Sequence, residues 1–235
     1  MTHQEKWADL NVRIKSAQKI EPLKGFVRDG VVNLEKWCSQ SIHPLFIGKK
    51  AHGKDDWSIT EHCMNARPVQ FCRDSPRSWP KTAYISYALQ HNFAEYNAAI
   101  RSSASVSEAL RNIAFINVGK YGAGTQTPPK RLTDLYMQNR TFLHEQIELC
   151  QPNVIIGWNT LGLFENDKEF MKRFANGRGS RIMKNGVSSW AANGQIFVSA
   201  KHPAYFKIPA KRYIDSVVAA VKTHFDDLNH SLPVL

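Results

Sequence analysis

Apolar residues in this chain fall into four short, nearly continuous runs separated by longer stretches of mixed polarity. The runs cover residues 44–48, 112–118, 153–159 and 195–201. Each run is rich in β-branched and aromatic residues, and turn-forming residues follow it. Strands that are covered by helices on both faces have this pattern, so we predict four parallel β-strands.

Helical periodicity accounts for much of the remaining chain. Apolar residues recur every three or four positions over 132–150 and 215–228, and Pro152 ends the first of these helices before the next strand. Residues 1–43 also look helical, with two glycine breaks. Residues 57–111 are less regular and rich in aromatic residues, and we expect them to form a helical excursion beside the sheet.

Strands that alternate with helices favour an α/β fold. The 235 residues fit one domain, which we divide into an N-terminal helical extension over 1–43 and an α/β core over 44–228. No apolar run approaches the roughly 20 residues of a membrane-spanning helix. The polar N-terminus lacks the apolar segment of a secretion signal. We therefore expect a cytoplasmic protein that does not bind a membrane.

The charge of the chain predicts a polyanionic partner. There are 31 Lys and Arg residues against 20 Asp and Glu residues, a formal net charge of +11. More than half of that surplus lies between residues 177 and 222, where eight basic residues accompany the single acid Asp215. Such clustering favours nucleic acid, because each neutralised phosphate releases counterions.

The cysteines indicate neither a metal nor a disulfide framework. The four residues are Cys38, Cys63, Cys72 and Cys150, and no two of them form a C-x-x-C pair. Zinc sites and small secreted scaffolds have closer spacings than these. We expect free thiols in a reducing compartment, and no metal.

Chemistry-bearing residues follow the predicted strands, where ligands of parallel sheets bind. After the first strand, Gly48 lets the backbone approach a ligand, and either Asp55 or Asp56 can deprotonate a water. Asn117 interrupts the second apolar run, and its amide suits the Watson–Crick edge of a base. The glycine-rich loop over 119–124 lacks the Lys-Ser/Thr that should follow in a phosphate loop.

The segment after the fourth strand combines a histidine with aromatic and basic residues. His202 stands at the strand end, and Tyr205 and Phe206 alternate with the cations Lys207, Lys211 and Arg212. Apolar wedges flanked by cations are typical of proteins that pry open a DNA duplex. No G-x-S-x-G motif supports acyl transfer.

These segments, in this order, resemble the uracil-DNA glycosylase superfamily over about residues 44–222. FIGKKAHGKDD at 46–56 is similar to the water-activating loop of that family. Asn117-Val118-Gly119-Lys120, followed by Thr127-Pro128, is similar to its second-strand segment. LHEQIELCQPNVIIGWNTLG at 143–162 resembles its helix and third strand, and His202-Pro203 resembles its final His-Pro-Ser.

The resemblance implies a three-layer α/β/α sandwich with a four-stranded parallel sheet. It also implies an enzyme that flips a base into a pocket and hydrolyses its N-glycosidic bond. His202 would face the base oxygen, Asn117 would read the base edge, and Trp57 or Phe71 would stack on the base. Asp55 or Asp56 would activate the water. We assign DNA contacts to Lys49, Lys50, Lys120, Tyr205, Phe206, Lys207, Lys211 and Arg212.

Several positions depart from the family pattern. Lys49 and Lys50 stand where the family usually has an acid or Asn, and Ala204 replaces the final Ser. Tyr121 stands where some branches have a cysteine of an iron–sulfur cluster, so we expect no cluster and no other cofactor. We expect a monomer whose specificity has shifted away from uracil, with hypermodified phage cytosines as one candidate and antiviral defence as the setting.

Two other interpretations stay open. One is a DNA-binding relative of the same fold whose altered first loop has made it inactive. The other is an unrelated small-molecule α/β hydrolase, which would show no salt-dependent affinity for DNA.

Overall fold

A seven-stranded mixed sheet forms the centre of the molecule. The structure is a computed structural model and describes residues 1–17, 25–50, 53, 55–65, 78–100, 103–122, 127–205 and 207–230. The strands are β1 (Val27–Arg28), β2 (Gly30–Val31), β3 (Pro44–Lys50), β4 (Trp57–Ser58), β5 (Ala114–Gly119), β6 (Val154–Trp158), β7 (Ile182–Lys184), β8 (Val187–Ala192) and β9 (Gln195–Ala200).

Nine α-helices are seen in the described ranges. They are α1 (His3–Ala17), α2 (Leu34–Ser39), α3 (Ile59–Met64), α4 (Ser78–Gln90), α5 (Ala104–Glu108), α6 (Pro129–Cys150), α7 (Leu161–Glu165), α8 (Lys168–Phe174) and α9 (Ala210–His230). Helices α6 and α9 contain the two periodic segments predicted at 132–150 and 215–228. Gln151 ends α6 in the left-handed conformation, with Pro152 directly after it.

The four strands predicted from the apolar runs are β3, β5, β6 and β9. They lie side by side and parallel, in the order β5-β3-β6-β9. The sheet nevertheless has seven strands rather than the expected four. Antiparallel β2 extends it at one edge, and the antiparallel strands β8 and β7 extend it at the other.

Helices cover both faces of the sheet. One face packs against α3, α4 and α9, and the other packs against α6, α7 and α8. This is a mixed α/β arrangement compatible with three α/β/α layers. The near-continuous apolar strands are explained by this double coverage, since neither face is left to solvent.

The N-terminal region differs from the helical extension that we expected. Helix α1 packs through Leu10 and Ile14 on α6, but residues 27–31 form the strands β1 and β2. Strand β2 joins the central sheet, so this region contributes to the core instead of extending from it. In the described ranges, no helix has the length and apolar character needed to cross a bilayer.

Candidate functional site

A cleft of about 540 Å³ opens at the carboxyl ends of β3, β5 and β6. Parallel strands end there on the same edge of the sheet, which is where ligands of such sheets bind. The cleft brings together seven of the predicted site residues, which are Gly48, Lys49, Lys50, Asp55, Trp57, Asn117 and His202.

The position of Asn117 depends on a glycine in the neighbouring strand. Gly48 and Asn117 are register partners across β3 and β5, so their side-chain positions point to the same face. A Cβ atom at Gly48 would lie 2.5 Å from Asn117 Oδ1 and 3.1 Å from the Phe115 ring. Glycine at position 48 therefore leaves the space into which the Asn117 side chain leans.

The Asn117 side chain is buried but not fully hydrogen-bonded. Its residue is only 3% exposed, and its backbone N–H donates to Asp29 Oδ2 at 2.7 Å. The side-chain Nδ2 finds no hydrogen-bond partner within the described part of the chain. A buried donor without a partner costs about 1–3 kcal/mol, so a ligand that supplies an acceptor gains that amount.

Lys120 is buried, and our assignment of a DNA contact to it is wrong. The residue is 1% exposed, and Lys120 Nζ lies 2.9 Å from Asp29 Oδ2 and 2.6 Å from Gln146 Oε1. Burial lowers the pKa of Lys120, and the nearby Asp29 opposes that effect. Since Asp29 also binds the Asn117 backbone, the pair fixes the end of β5 beneath the cleft.

Aromatic rings form the walls of the cleft. The Trp79 ring lies 5.1 Å from Phe115, and Phe115 lies 5.1 Å from Trp158. His62 packs between Trp57 and Trp79, with centroid distances of 6.0 and 5.9 Å. Partial burial lowers the pKa of His62.

Sequence reasoning found only Trp57 among these wall residues. Trp79, Phe115, Trp158 and His62 lie on four different elements, and their positions in the sequence give no sign that they meet. Trp158 was the detectable one, because it ends a strand on the ligand-binding edge. Phe71, the alternative stacking residue, lies outside the described residues.

His202 is held in one orientation by the turn that follows β9. Its Nδ1 accepts a hydrogen bond from the Ala204 backbone N–H at 3.2 Å, and its ring meets Trp158 edge to face at 5.6 Å. A neutral imidazole that accepts at Nδ1 carries its proton at Nε2. A neutral His202 ring thus carries its proton at Nε2, and the residue lines the cleft.

Two side chains from neighbouring helices hold this turn. Lys81 of α4 donates to the Pro203 carbonyl at 2.6 Å, and the Tyr213 hydroxyl of α9 donates to the Lys201 carbonyl at 2.6 Å. The Lys81 ammonium also lies 4.9 Å from the centre of the Tyr213 ring. These contacts fix the backbone on both sides of His202.

The adjacent carboxylates of the first loop have different environments. Asp55 lines the cleft, and it is the only acidic residue that does so among those the structure describes. Asp56 points away and accepts from Lys15 Nζ at 2.7 Å and from the Phe26 backbone N–H at 2.9 Å. The hydrogen bond from Lys15 lowers the pKa of Asp56. Asp56 therefore ties the loop to α1, and our expectation that it activates water is not supported by its position.

Close glycine contacts hold the first loop against the loop that follows β5. The Gly122 backbone N–H donates to the Gly25 carbonyl at 2.8 Å. A Cβ atom at Gly122 would lie 2.1 Å from the Gly53 carbonyl oxygen, and Gly53 itself has a φ of +131°. A side chain at position 122 would clash with the Gly53 carbonyl oxygen, so this approach requires glycine there. The contact positions the loop that carries Asp55.

The predicted DNA-contacting residues fall into separate groups. Lys49 and Lys50 lie in the cleft, and burial, followed by the charge of Arg131, lowers the pKa of Lys50. Tyr205 and Lys207 are exposed in the turn after β9. The side chain of Lys211 pairs with Asp215 at 2.8 Å, and Lys211 and Arg212 line a different groove beside Lys184. Phe206 lies outside the described residues.

Two of the basic residues between 177 and 222 pack on the hydrophobic core. The guanidinium groups of Arg178 and Arg181 lie 4.4 and 4.7 Å from the centre of the Trp190 ring, and both pair with Glu165. They cover a fully buried tryptophan, so they are poor candidates for phosphate contacts.

In the part of the chain that the structure describes, no group of three or more His, Cys, Asp or Glu side chains is arranged to hold a metal ion.

Comparison with known proteins leaves the family of the chain open. No protein-family model matches the sequence, and no curated protein is similar enough to count as a relative.

Proposed function

We propose that the protein is a DNA glycosylase that hydrolyses the N-glycosidic bond of a flipped-out damaged or modified base and leaves an abasic site. The single observation that carries this proposal is the buried amide of Asn117, for whose Nδ2 the described residues supply no partner, at the bottom of an aromatic-walled cleft. The formal net charge of +11 supports DNA as the partner. The resemblance of the strand-end segments to the uracil-DNA glycosylase superfamily agrees with it.

The cleft offers what binding of a flipped base requires. Leaving the helix costs the base its stacking and its pairing, which together amount to a few kcal/mol. Trp57 and Trp79 supply stacking surfaces in exchange, and Asn117 supplies a hydrogen bond to the base edge. Lys49 and Lys50, which also line the cleft, would attract the flanking phosphates.

In the chemical step the bond between C1′ of the sugar and the base nitrogen breaks, and its electron pair leaves with the base. His202 Nε2–H donates to the base oxygen on which the charge collects. The oxygen of a water molecule bonds to C1′, and Asp55 accepts the proton that the water loses. The departing base then takes a proton from solvent, so the products are a neutral free base and an abasic sugar.

The size of the cleft supports a substrate larger than uracil. Its volume of about 540 Å³ lies in the range of about 300–1,000 Å³ that is typical of pockets for drug-sized ligands. A pyrimidine ring is smaller than the space that the described residues enclose. We therefore propose that the enzyme excises bulky modified bases, with the hypermodified cytosines of phage DNA as the leading candidates and antiviral defence as the role. Repair of damaged bases by the same excision chemistry is the alternative setting.

A second candidate function is a DNA-binding relative without catalysis. The observation that favours it is the pair Lys49 and Lys50, which line the cleft beside Asp55, while Asp56 is engaged with Lys15. A protonated lysine cannot accept a proton from water, so neither Lys49 nor Lys50 can replace the water-activating residue that the family has at this point of the loop.

Substitution of the adjacent carboxylates tests the proposal, because each serves as the control for the other. We expect Asp55→Asn to lower the rate of alkali-sensitive strand breakage at modified bases by about 100-fold or more, with DNA affinity retained. His202→Ala should act in the same direction. Asp56→Asn should leave the rate near that of the wild type, since Asp56 lies outside the cleft. Equal losses in the two Asp variants would contradict the assignment, and a wild type without activity on any modified DNA would favour the non-catalytic relative.

A further inference from the structure

Trp158 is fixed at the floor of the cleft. It is the last residue of β6, and the pairing of Ile47 with Gly157 places it beside Gly48 on the neighbouring strand. Its ring lies 5.6 Å from Phe46 and 5.1 Å from Phe115, on the same side of the sheet as Asn117. The residue is 2% exposed. Packing against these rings therefore holds the indole in place.

The indole N–H of Trp158 is a buried donor that the described residues leave without an acceptor. The side-chain Nδ2 of Asn117 is in the same state, and both residues line the cleft. Gly48, which has no side chain, lies between them in the sheet. The Asn117 side chain leans into the space above Gly48. Both unpartnered donors thus belong to residues that line one cleft, where a ligand that carries acceptors would satisfy both.

We propose that the Trp158 indole N–H donates a hydrogen bond to an acceptor atom of the flipped-out base, beside the hydrogen bond from Asn117. This inference rests on the proposed function and adds a specificity-determining residue to that site. An indole N–H can only donate, so this position accepts a carbonyl oxygen or a bare ring nitrogen and rejects an amino group or a ring N–H. Because negative charge collects on the base as the glycosidic bond breaks, the hydrogen bond strengthens in the transition state.

Trp158→Phe is the direct test, because it keeps an aromatic ring and removes the N–H. Trp190→Phe is the matched control. Trp190 is also fully buried, and its indole N–H has no partner among the residues that the structure describes, but it lies under Arg178 and Arg181, outside the cleft. The substrates are duplexes that carry uracil, 5-hydroxymethylcytosine or glucosylated 5-hydroxymethylcytosine. We expect Trp158→Phe to lower kcat/KM about tenfold on the base that the wild type releases fastest, and Trp190→Phe to leave it unchanged.

A second measurement does not depend on a variant that folds. The six tryptophans give separate indole N–H signals in nitrogen-15 NMR spectra, and the Trp158 signal is identified by its proximity to the Phe46 and Phe115 rings. The probes are free uracil and free 5-hydroxymethylcytosine, each added together with abasic-site DNA. We expect the Trp158 signal to move downfield with one of these bases and the Trp190 signal to stay in place.

The outcomes separate this inference from the proposed function. If the wild type releases a base but Trp158→Phe is as active as the wild type, the inference is overturned and the glycosylase proposal stands. If the wild type releases no base, the glycosylase proposal fails. The NMR titration then decides the inference alone, because a Trp158 signal that ignores both bases overturns it.

Discussion

Gly48 has no side chain, and the space above it is occupied by the side chain of Asn117, whose Oδ1 lies 2.5 Å from where a Cβ atom would be. The sequence pointed to Asn117 because it is a polar residue inside an apolar run, and to His202 because it directly follows one. It could not point to His62 or Trp79, because these residues become neighbours only when α3 and α4 pack over the sheet. Local pattern identifies residues at strand ends, whereas the walls of a cleft depend on tertiary packing.

Lys120 was assigned a role from the sequence that the structure contradicts. A lysine that follows a strand in a basic chain favours the prediction of a phosphate contact. The Lys120 ammonium is instead buried and pairs with Asp29. No local pattern links these two residues, which are 91 positions apart. The buried partner could be found only from the fold.

The buried Asp29–Lys120 pair predicts that removing one partner lowers stability more than removing both. Lys120→Met leaves the Asp29 carboxylate buried without its cation, so we expect a loss of about 3–5 kcal/mol in the free energy of unfolding. Combining it with Asp29→Asn should recover part of that loss, because no charge then stays buried. Urea denaturation measures both, with the exposed Lys207→Met as the control. A Lys120→Met loss no larger than that of the control would refute a buried ion pair.

Among the elements, the parallel strands were predictable and the added strands were missed. Strand β8 lies between two Asn-Gly dipeptides, Asn185-Gly186 and Asn193-Gly194, whose residues all have positive φ. Such dipeptides are strong signals for two-residue hairpin turns. The sequence therefore contained turn signals for the β7–β8–β9 meander. The short, exposed β7 and the serines of β8 made the apolar pattern of these strands hard to recognise.

The contact between the loops after β3 and β5 yields a prediction about two glycines. Gly122→Ala would place a Cβ atom 2.1 Å from the Gly53 carbonyl oxygen, so the loop that carries Asp55 must move. A shift of about 1 Å at a reacting group can cost about 100-fold in rate, and we expect base release to fall by that order. Gly162→Ala is the control, because nothing lies within 4 Å of a Cβ there. It should keep full activity and add up to about 1 kcal/mol of stability. Similar activity in both variants would show that the loop contact is dispensable.

At the scale of the whole molecule, the basic residues between 177 and 222 differ in what they contact. Arg178, Arg181, Lys207 and Arg212 are all exposed residues, but the guanidinium groups of Arg178 and Arg181 stack on Trp190 and pair with Glu165. The α/β class followed from the alternation of strands and helices. The sequence pattern gave no sign that the segment around the β7–β8 hairpin would pair with Glu165. That pairing decides which basic residues remain available to a partner.

The exposed cations predict the salt dependence of DNA binding. Each phosphate contact adds about 0.9 to the slope of log affinity against log salt concentration. We expect the double variant Lys207→Gln/Arg212→Gln to flatten that slope by about 2. The double variant Arg178→Gln/Arg181→Gln should leave it unchanged, since those guanidinium groups stack on Trp190. Fluorescence anisotropy over a salt series measures both slopes, and the reverse ranking would place the DNA on the other side of the hairpin.

Three histidines predict how stability responds to mild acid. Burial lowers the pKa values of His62, His144 and His224 below the usual 6.5. The unfolded chain then binds protons more readily than the folded protein, so stability is complete above about pH 6.5 and falls as the pH drops through that value. We expect Tm to decrease from pH 7.5 to 5.5. His224→Gln should make that decrease smaller, and a Tm that rises on acidification would contradict the stated direction.

The most direct test of the central claim is the release of a free base from DNA by the purified wild-type protein. Uracil-containing DNA and natural phage DNA with hypermodified cytosines are incubated with it, and the released small molecules are identified by mass spectrometry while abasic sites are counted. We predict one free base per abasic site, with a bulky modified base released faster than uracil, and no release by Asp55→Asn. DNA binding without release of any base from either DNA would contradict the glycosylase account.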